Sequence, residues 1–149
     1  MKAFVVHAPG QSTIEEVESP VAKPGHVVID IARAGVCGTD VEFFNGDMAY
    51  FQTGEAKYPM RLGHEWCGTV SSAGEGVDKN WIGKRVTGDT MLGCQECKRC
   101  KSGLQHVCSE RFEIGIRNGW PGALAEQLLV PEFALYELPD SVDDTVGAL

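Results

Sequence analysis

Basic residues are scarce in this chain. Lys and Arg total 13 against 21 Asp and Glu, a formal net charge of −8 over 149 residues. Such a balance repels phosphate backbones and anionic lipid, so neither nucleic acid nor a membrane surface is an expected partner. Long apolar runs are missing too, and none approaches the ~20 residues that a membrane span needs. The apolar start, Met1-Lys2-Ala3-Phe4-Val5-Val6, stops at Pro9-Gly10. It is too short for a secretory signal, which points to a cytoplasmic protein. Aromatic residues reach only 8%, yet 43% apolar and 23% charged residues match ordinary globular proteins and exclude disorder as the main state. The length suits one domain, residues 1–149, and not comfortably two.

Helix signals are also in short supply. No long amphipathic pattern of helical period occurs, and no strand–helix–strand alternation. Gly74-Glu75-Gly76 lacks the third Gly and the following helix of a dinucleotide fingerprint. What is present is a run of short extended segments separated by Gly and Pro turns. Lys2–His7, Ser12–Glu18, His26–Ala34, Cys67–Ala73, Lys84–Leu92, Ala123–Val130 and Phe133–Leu138 have the content of strands. In His26–Ala34, Val27, Ile29 and Ile31 alternate with Val28 and Asp30. Thr39–Asn45 predicts a short helix, capped by Thr39 or Asp40 and ended by Gly46. Gly46–Tyr58 predicts a long loop. The expected class is mainly β, a barrel or sandwich with a few short helices.

Six Cys is a high count for a reducing compartment. Cys94, Cys97, Cys100 and Cys108 fall within fifteen residues, and the gaps between the first three are too short for unstrained disulfides with one another. Four thiolates on one looped segment suit a tetrahedral zinc ion, and such a closed site is structural because it leaves no position for substrate. An iron–sulfur cluster is the competing reading. Its bacterial spacing places three residues before a final Cys-Pro; here seven intervene and Ser109 follows Cys108. Lys98, Arg99 and Lys101 stand among the thiolates and offset part of their charge.

A second constellation is Cys37-Gly38-Thr39-Asp40 with Gly63-His64-Glu65. A catalytic zinc takes about three mixed protein ligands and keeps one position open. Cys37 and His64 supply two, and Glu65 is either a third or an outer carboxylate. Asp40 can accept the other ring N–H of His64 and set its tautomer. Taken singly, Cys37 also suits a buried core position and Thr39-Asp40 a helix cap. Cys67 is expected to be a buried thiol, and His7, His26 and His106 have no assigned role.

The joint pattern resembles a family. Gly63-His64-Glu65, two residues to Gly68, five to Gly74 and two more to Val77 is similar to the signature of zinc-dependent alcohol dehydrogenases in the medium-chain dehydrogenase/reductase family. Cys37-Gly38-Thr39-Asp40 upstream and the four-Cys segment downstream are spaced as in that family, and the resemblance runs from end to end. It implies a GroES-like, partly open β-barrel, the catalytic domain, with a zinc lobe at about residues 93–109. It implies two zinc ions, a structural one on Cys94, Cys97, Cys100 and Cys108 and a catalytic one on Cys37 and His64, with Glu65 as an adjustable ligand. Thr39 would relay the alcohol proton. The family's NAD- or NADP-binding Rossmann domain is absent from this chain, which is then expected to be an inactive portion of a longer, homo-oligomeric enzyme.

The activity so implied is oxidation of an alcohol, sugar or polyol to a carbonyl, through a zinc alkoxide and hydride transfer to nicotinamide. Many members carry His two residues after the Asp; here Glu42 stands there, as in the family's glucose dehydrogenases, and Glu113 falls near a sugar-binding Glu of that branch. Thr90 replaces the branch's polar amide, which argues against glucose itself. The alternative is a stand-alone zinc-binding, GroES-like interaction module without catalysis.

Overall fold

The computed structural model describes residues 1–149. Strand β1 (Lys2–Ala8) turns at Pro9-Gly10 and pairs antiparallel with β2 (Gln11–Glu16). Its other edge takes β4 (Met60–Arg61), giving a three-stranded sheet in the order β2-β1-β4. The second sheet is built on β3 (His26–Ala34), flanked by β5 (Trp66–Ala73) and β9 (Gln127–Pro131). It extends through β6 (Arg85–Gly88) and β10 (Leu135–Glu137) to the order β10-β6-β5-β3-β9. A bridge between Ala3 and Ala125 and the Phe4 N–H to Leu124 carbonyl bond of 2.8 Å join the two sheets. They do not close on each other, so the barrel is partly open, as expected. No helix is long and apolar enough to cross a membrane.

The main core holds Val27, Ile29, Trp66, Val70, Val86, Ile114, Leu128 and Val130 among its 13 buried residues. A second cluster of Val6, Phe43, Ala56 and Leu62 lies under β1 and the first helix. Strand β3 departs from the predicted alternation. Val28 is 3% exposed, as deeply buried as its neighbours Val27 and Ile29. A central strand covered on both faces is apolar on both.

Other boundaries shift for physical reasons. The predicted strand Lys84–Leu92 is two strands, β6 and β7 (Met91–Leu92), with a corner at Asp89-Thr90 between them. β7 leaves the barrel to pair with β8 (Phe112–Glu113), which the sequence pattern does not reveal because both are two residues long. The predicted Gly46–Tyr58 loop contains one helical turn, Tyr50–Thr53. The closing strands β9 and β10 do not pair with each other; Pro131 and a tight turn at Glu132–Ala134 send them to opposite edges of the sheet.

Trp66 is 1% exposed, and its indole N–H is buried without a partner. Truncation to Ala is expected to cost about 3–5 kcal/mol. Trp66→Phe should cost clearly less, since it keeps most of the ring and removes the orphaned donor. Urea denaturation of the metal-saturated variants measures both.

Candidate metal centres

Helix α1 (Gly38–Asn45) starts from the residue that carries the thiol. The predicted caps were Thr39 or Asp40, but the cap is Cys37. Its Sγ accepts the Thr39 amide at 3.3 Å, while its own amide donates to Asp40 Oδ2 at 3.0 Å, a reciprocal box. Gly46 ends the helix at φ 85°, as predicted. Capping aims the thiol at the helix N-terminus, where negative charge is favoured.

Asp40 is buried and uses its second oxygen elsewhere: Oδ1 accepts the Gly63 amide at 3.1 Å and lies 3.6 Å from His64 Nδ1. The other ring nitrogen, His64 Nε2, faces Cys37 Sγ at 3.1 Å. Burial alone would raise the Asp40 carboxyl, but the His64 ring and the Cys37 and Gly63 amides outweigh it and hold it below its ordinary value. Desolvation likewise works to raise the Cys37 thiol, yet hydrogen bonds from Thr39, from its side chain as well as its amide, and the nearby His64 leave it lowered. His64 is raised, chiefly by the Asp40 carboxylate that faces its ring, against the effect of burial.

Gly63 makes this approach possible. Its φ is 98°, and a Cβ there would stand 2.6 Å from the Leu124 amide nitrogen. The Ala123 amide in turn donates to the Gly63 carbonyl at 2.8 Å.

The second group lies in the loop beyond β7, around the single helical turn Lys98–Lys101. Cys94, Cys97, Cys100 and Cys108 bring their sulfurs within 4.8 Å of one another. The Cys94–Cys100 and Cys97–Cys108 sulfur pairs are both 3.9 Å apart. Tetrahedral zinc with bonds of about 2.3 Å to sulfur sets such edges at about 3.8 Å. The thiols divide their charge unevenly. Cys97 is lowered to about 7, chiefly by the Cys100 amide, while desolvation pushes Cys100 up to about 12. No cysteine is in a disulfide.

Both donor sets fit zinc. In the first, ligand bonds of about 2.3 Å to sulfur and 2.0–2.1 Å to nitrogen place the two atoms about 3.6 Å apart at a tetrahedral angle. The observed 3.1 Å needs only a small opening. The buried His64 Nδ1, without a hydrogen-bond partner but facing the Asp40 charge, is the arrangement expected behind a metal-bound imidazole.

Residues 23–140 match the family described as the alcohol dehydrogenase GroES-like domain. The chain belongs to that family. It is a GroES-like domain of the zinc-dependent, medium-chain alcohol dehydrogenases. L-threonine 3-dehydrogenase of Deinococcus radiodurans is 35% identical over 150 residues, covering 100% of this chain and 42% of that protein. The enzyme of the same name from Rhizobium rhizogenes is 33% identical over the same share of each. Among solved structures, galactitol-1-phosphate dehydrogenase from Escherichia coli has a TM-score of 0.84 at 30% identity, covering 99% of this chain and 41% of that one. A short chain alcohol dehydrogenase from E. coli, complexed with NADH, reaches 0.88 at 30% identity, covering 99% and 41%. The chain thus spans about two fifths of the length of the relatives it matches.

Within the dehydrogenase domain, the expected site residues are not all gathered. Cys37, Asp40 and His64 come together, with Thr39 beside the thiol. Glu65 is not among them; a Cβ built on Gly35 would meet its Oε2 at 2.4 Å, which locates the carboxylate against that backbone. Glu42 is exposed on α1 and makes no side-chain hydrogen bond. Glu113 is buried and held by Arg111 at 2.6 Å and Arg117 at 3.9 Å. Arg117 also pairs with Glu55 and lies over the Tyr50 ring. Cys67 is a buried thiol, as expected, donating to the Asp144 carbonyl. The sequence reading missed Arg111, Arg117 and Glu55; the Arg117–Glu55 pair meets across 62 residues, which nothing local marks.

Gly63→Ala is expected to abolish metal binding at Cys37 and His64 while the four-cysteine lobe still fills, because left-handed strain and the Leu124 contact both act on the His64 backbone. Metal analysis of the purified variant reads this as a loss of one ion per chain. Cys100→Ser should have the opposite selectivity and also cost stability, since the lobe has little apolar core of its own.

Proposed function

We propose that this chain is the catalytic domain of a zinc-dependent, NAD(P)-linked dehydrogenase that oxidises an alcohol carrying a second polar group, a polyol or sugar included. The observation that supports it most is the facing pair Cys37 Sγ and His64 Nε2 at 3.1 Å, backed by buried Asp40 and separate from a four-thiol cluster. An interaction module that only needed the lobe has no use for this second set.

Cys37 and His64 would hold the catalytic zinc, and Cys94, Cys97, Cys100 and Cys108 the structural one. Zinc bound at the first site supplies Lewis acidity that makes an alcohol hydroxyl easier to deprotonate. The chain's residues do the rest. Asp40 keeps a negative charge behind His64 Nδ1, so the proton stays on that nitrogen and the Nε2 lone pair is turned toward Cys37. The Thr39 hydroxyl, beside the thiol, takes the alcohol proton and passes it outward. Glu65 is the third candidate ligand. Its carboxylate must swing away from Gly35 to act, which suits a group that exchanges with substrate. A nicotinamide, held by a part of the enzyme outside this domain, would supply the hydride acceptor.

For the substrate, Glu42 is the freer of the two carboxylates and can accept a hydroxyl. Glu113 has its oxygen committed to arginine and is the weaker contact. Relatives named for a polyol phosphate and for threonine are consistent with an alcohol bearing a polar neighbour.

Zinc content tests the reading. The purified chain should carry two ions, and Cys37→Ser should carry one. In the full-length enzyme the same change should lower kcat/KM by at least about 10²-fold, as expected for loss of a metal ligand. The isolated chain with NAD or NADP should turn over no alcohol. One zinc in both proteins would favour the non-catalytic module.

A further inference from the structure

We propose that Thr90 is a positioning residue for His64, and that through it the four-cysteine lobe determines how firmly the metal-facing imidazole is held. The inference rests on the two-metal reading above.

Thr90 sits at the corner where the chain leaves β6 in the barrel and enters β7 at the root of the lobe. Its hydroxyl donates to the His64 carbonyl at 2.9 Å across 26 residues. The same residue's carbonyl accepts the Ile114 amide at 3.1 Å, from the segment that returns from the lobe. Its neighbour Asp89 faces the other way: Oδ1 accepts the Met91 amide at 2.9 Å and Oδ2 accepts the Gln105 side chain at 3.0 Å. Gln105 lies between Cys100 and Cys108 and packs on Gly93, so this bond grips the cysteine loop itself. The corner therefore has one hand on the lobe and one on His64.

His64 depends on that grip. The carbonyls of its two chain neighbours are tied by backbone: Gly63 carbonyl to the Ala123 amide, and Glu65 carbonyl to the Gly35 amide, both at 2.8 Å. Asp40 holds the Gly63 amide and stands behind the ring. The His64 carbonyl itself is held by the Thr90 hydroxyl, a side chain that one substitution can remove. Without that donor the carbonyl loses its partner, and the His64 peptide is freer to rotate the ring away from Cys37.

Thr90→Val keeps the shape and removes the donor; Thr90→Ser keeps the donor. Each protein is loaded with cobalt(II) and challenged with excess chelator, and the thiolate-to-cobalt absorption is followed in time. Wild type should release its two ions in separate phases, one from Cys37 and His64 and one from the four-thiolate lobe. In Thr90→Val the first phase should accelerate on the order of tenfold or more, the range found for ligand-orienting partners. The lobe phase should stay unchanged, and Thr90→Ser should resemble wild type. Gln105→Ala, which cuts the lobe's hold on Asp89, should accelerate the same phase by a smaller factor.

Two outcomes overturn the proposal: equal release from Cys37 and His64 in Thr90→Val and Gln105→Ala, or equal acceleration of both phases, which marks general loosening. If Thr90→Val does not fold, Gln105→Ala against wild type decides alone. A wild-type chain that takes up one cobalt removes the two-metal reading first and this proposal with it.

Discussion

The Cys37–His64 end of this domain hangs on one buried carboxylate. Asp40 accepts the Cys37 amide with one oxygen and the Gly63 amide with the other, and the second oxygen also stands 3.6 Å from His64 Nδ1. A buried carboxylate without partners would be costly; here two amide donors and a ring satisfy it. The partners are not incidental. One begins the helix that presents the thiol, and the other lies in the connection between β4 and β5 that presents the imidazole. Satisfying a single charge thus brings two chain segments into register, and the facing of Cys37 and His64 follows from where those segments must go.

A second buried carboxylate organises the segment that returns from the lobe. Glu113 lies between Arg111 and Arg117, and Arg117 continues to Glu55 and to the face of Tyr50. Arg111 also donates to the Cys108 carbonyl at 3.2 Å, so the network fastens the last thiol of the lobe to the barrel. Removing one member of such a buried group leaves an uncompensated charge, which makes these side chains interdependent. The lobe is small and mostly exposed, and its order depends on these ties and on its own ligand set.

The legible parts of this protein were those whose chemistry is local. Cys94, Cys97, Cys100 and Cys108 stand close enough in sequence that any compact loop gathers them, and the structure does so. The helix end at Gly46 and the strands around Val5, Ile29 and Val70 carry their own signals. Illegible parts were those where local preference is weak. Two-residue strands such as β7 and β8 exist only because their partners are present. The corner at Asp89-Thr90 itself contains neither Gly nor Pro, so one strand was expected across the change of sheet. Val28 looked solvent-facing because alternation assumes one covered face.

The sequence by itself determined the family and the mainly β class and marked two groups of donor residues, because motif spacing and thiol clustering are properties of the chain alone. Only the tertiary structure decided which charges are buried, that Cys37 and not Thr39 caps the helix, that Glu113 faces arginines, and that Thr90 holds His64. Those outcomes depend on which distant amides and side chains meet in a desolvated place. Desolvation makes a hydrogen bond or ion pair necessary, and burial arises only once the sheets have paired.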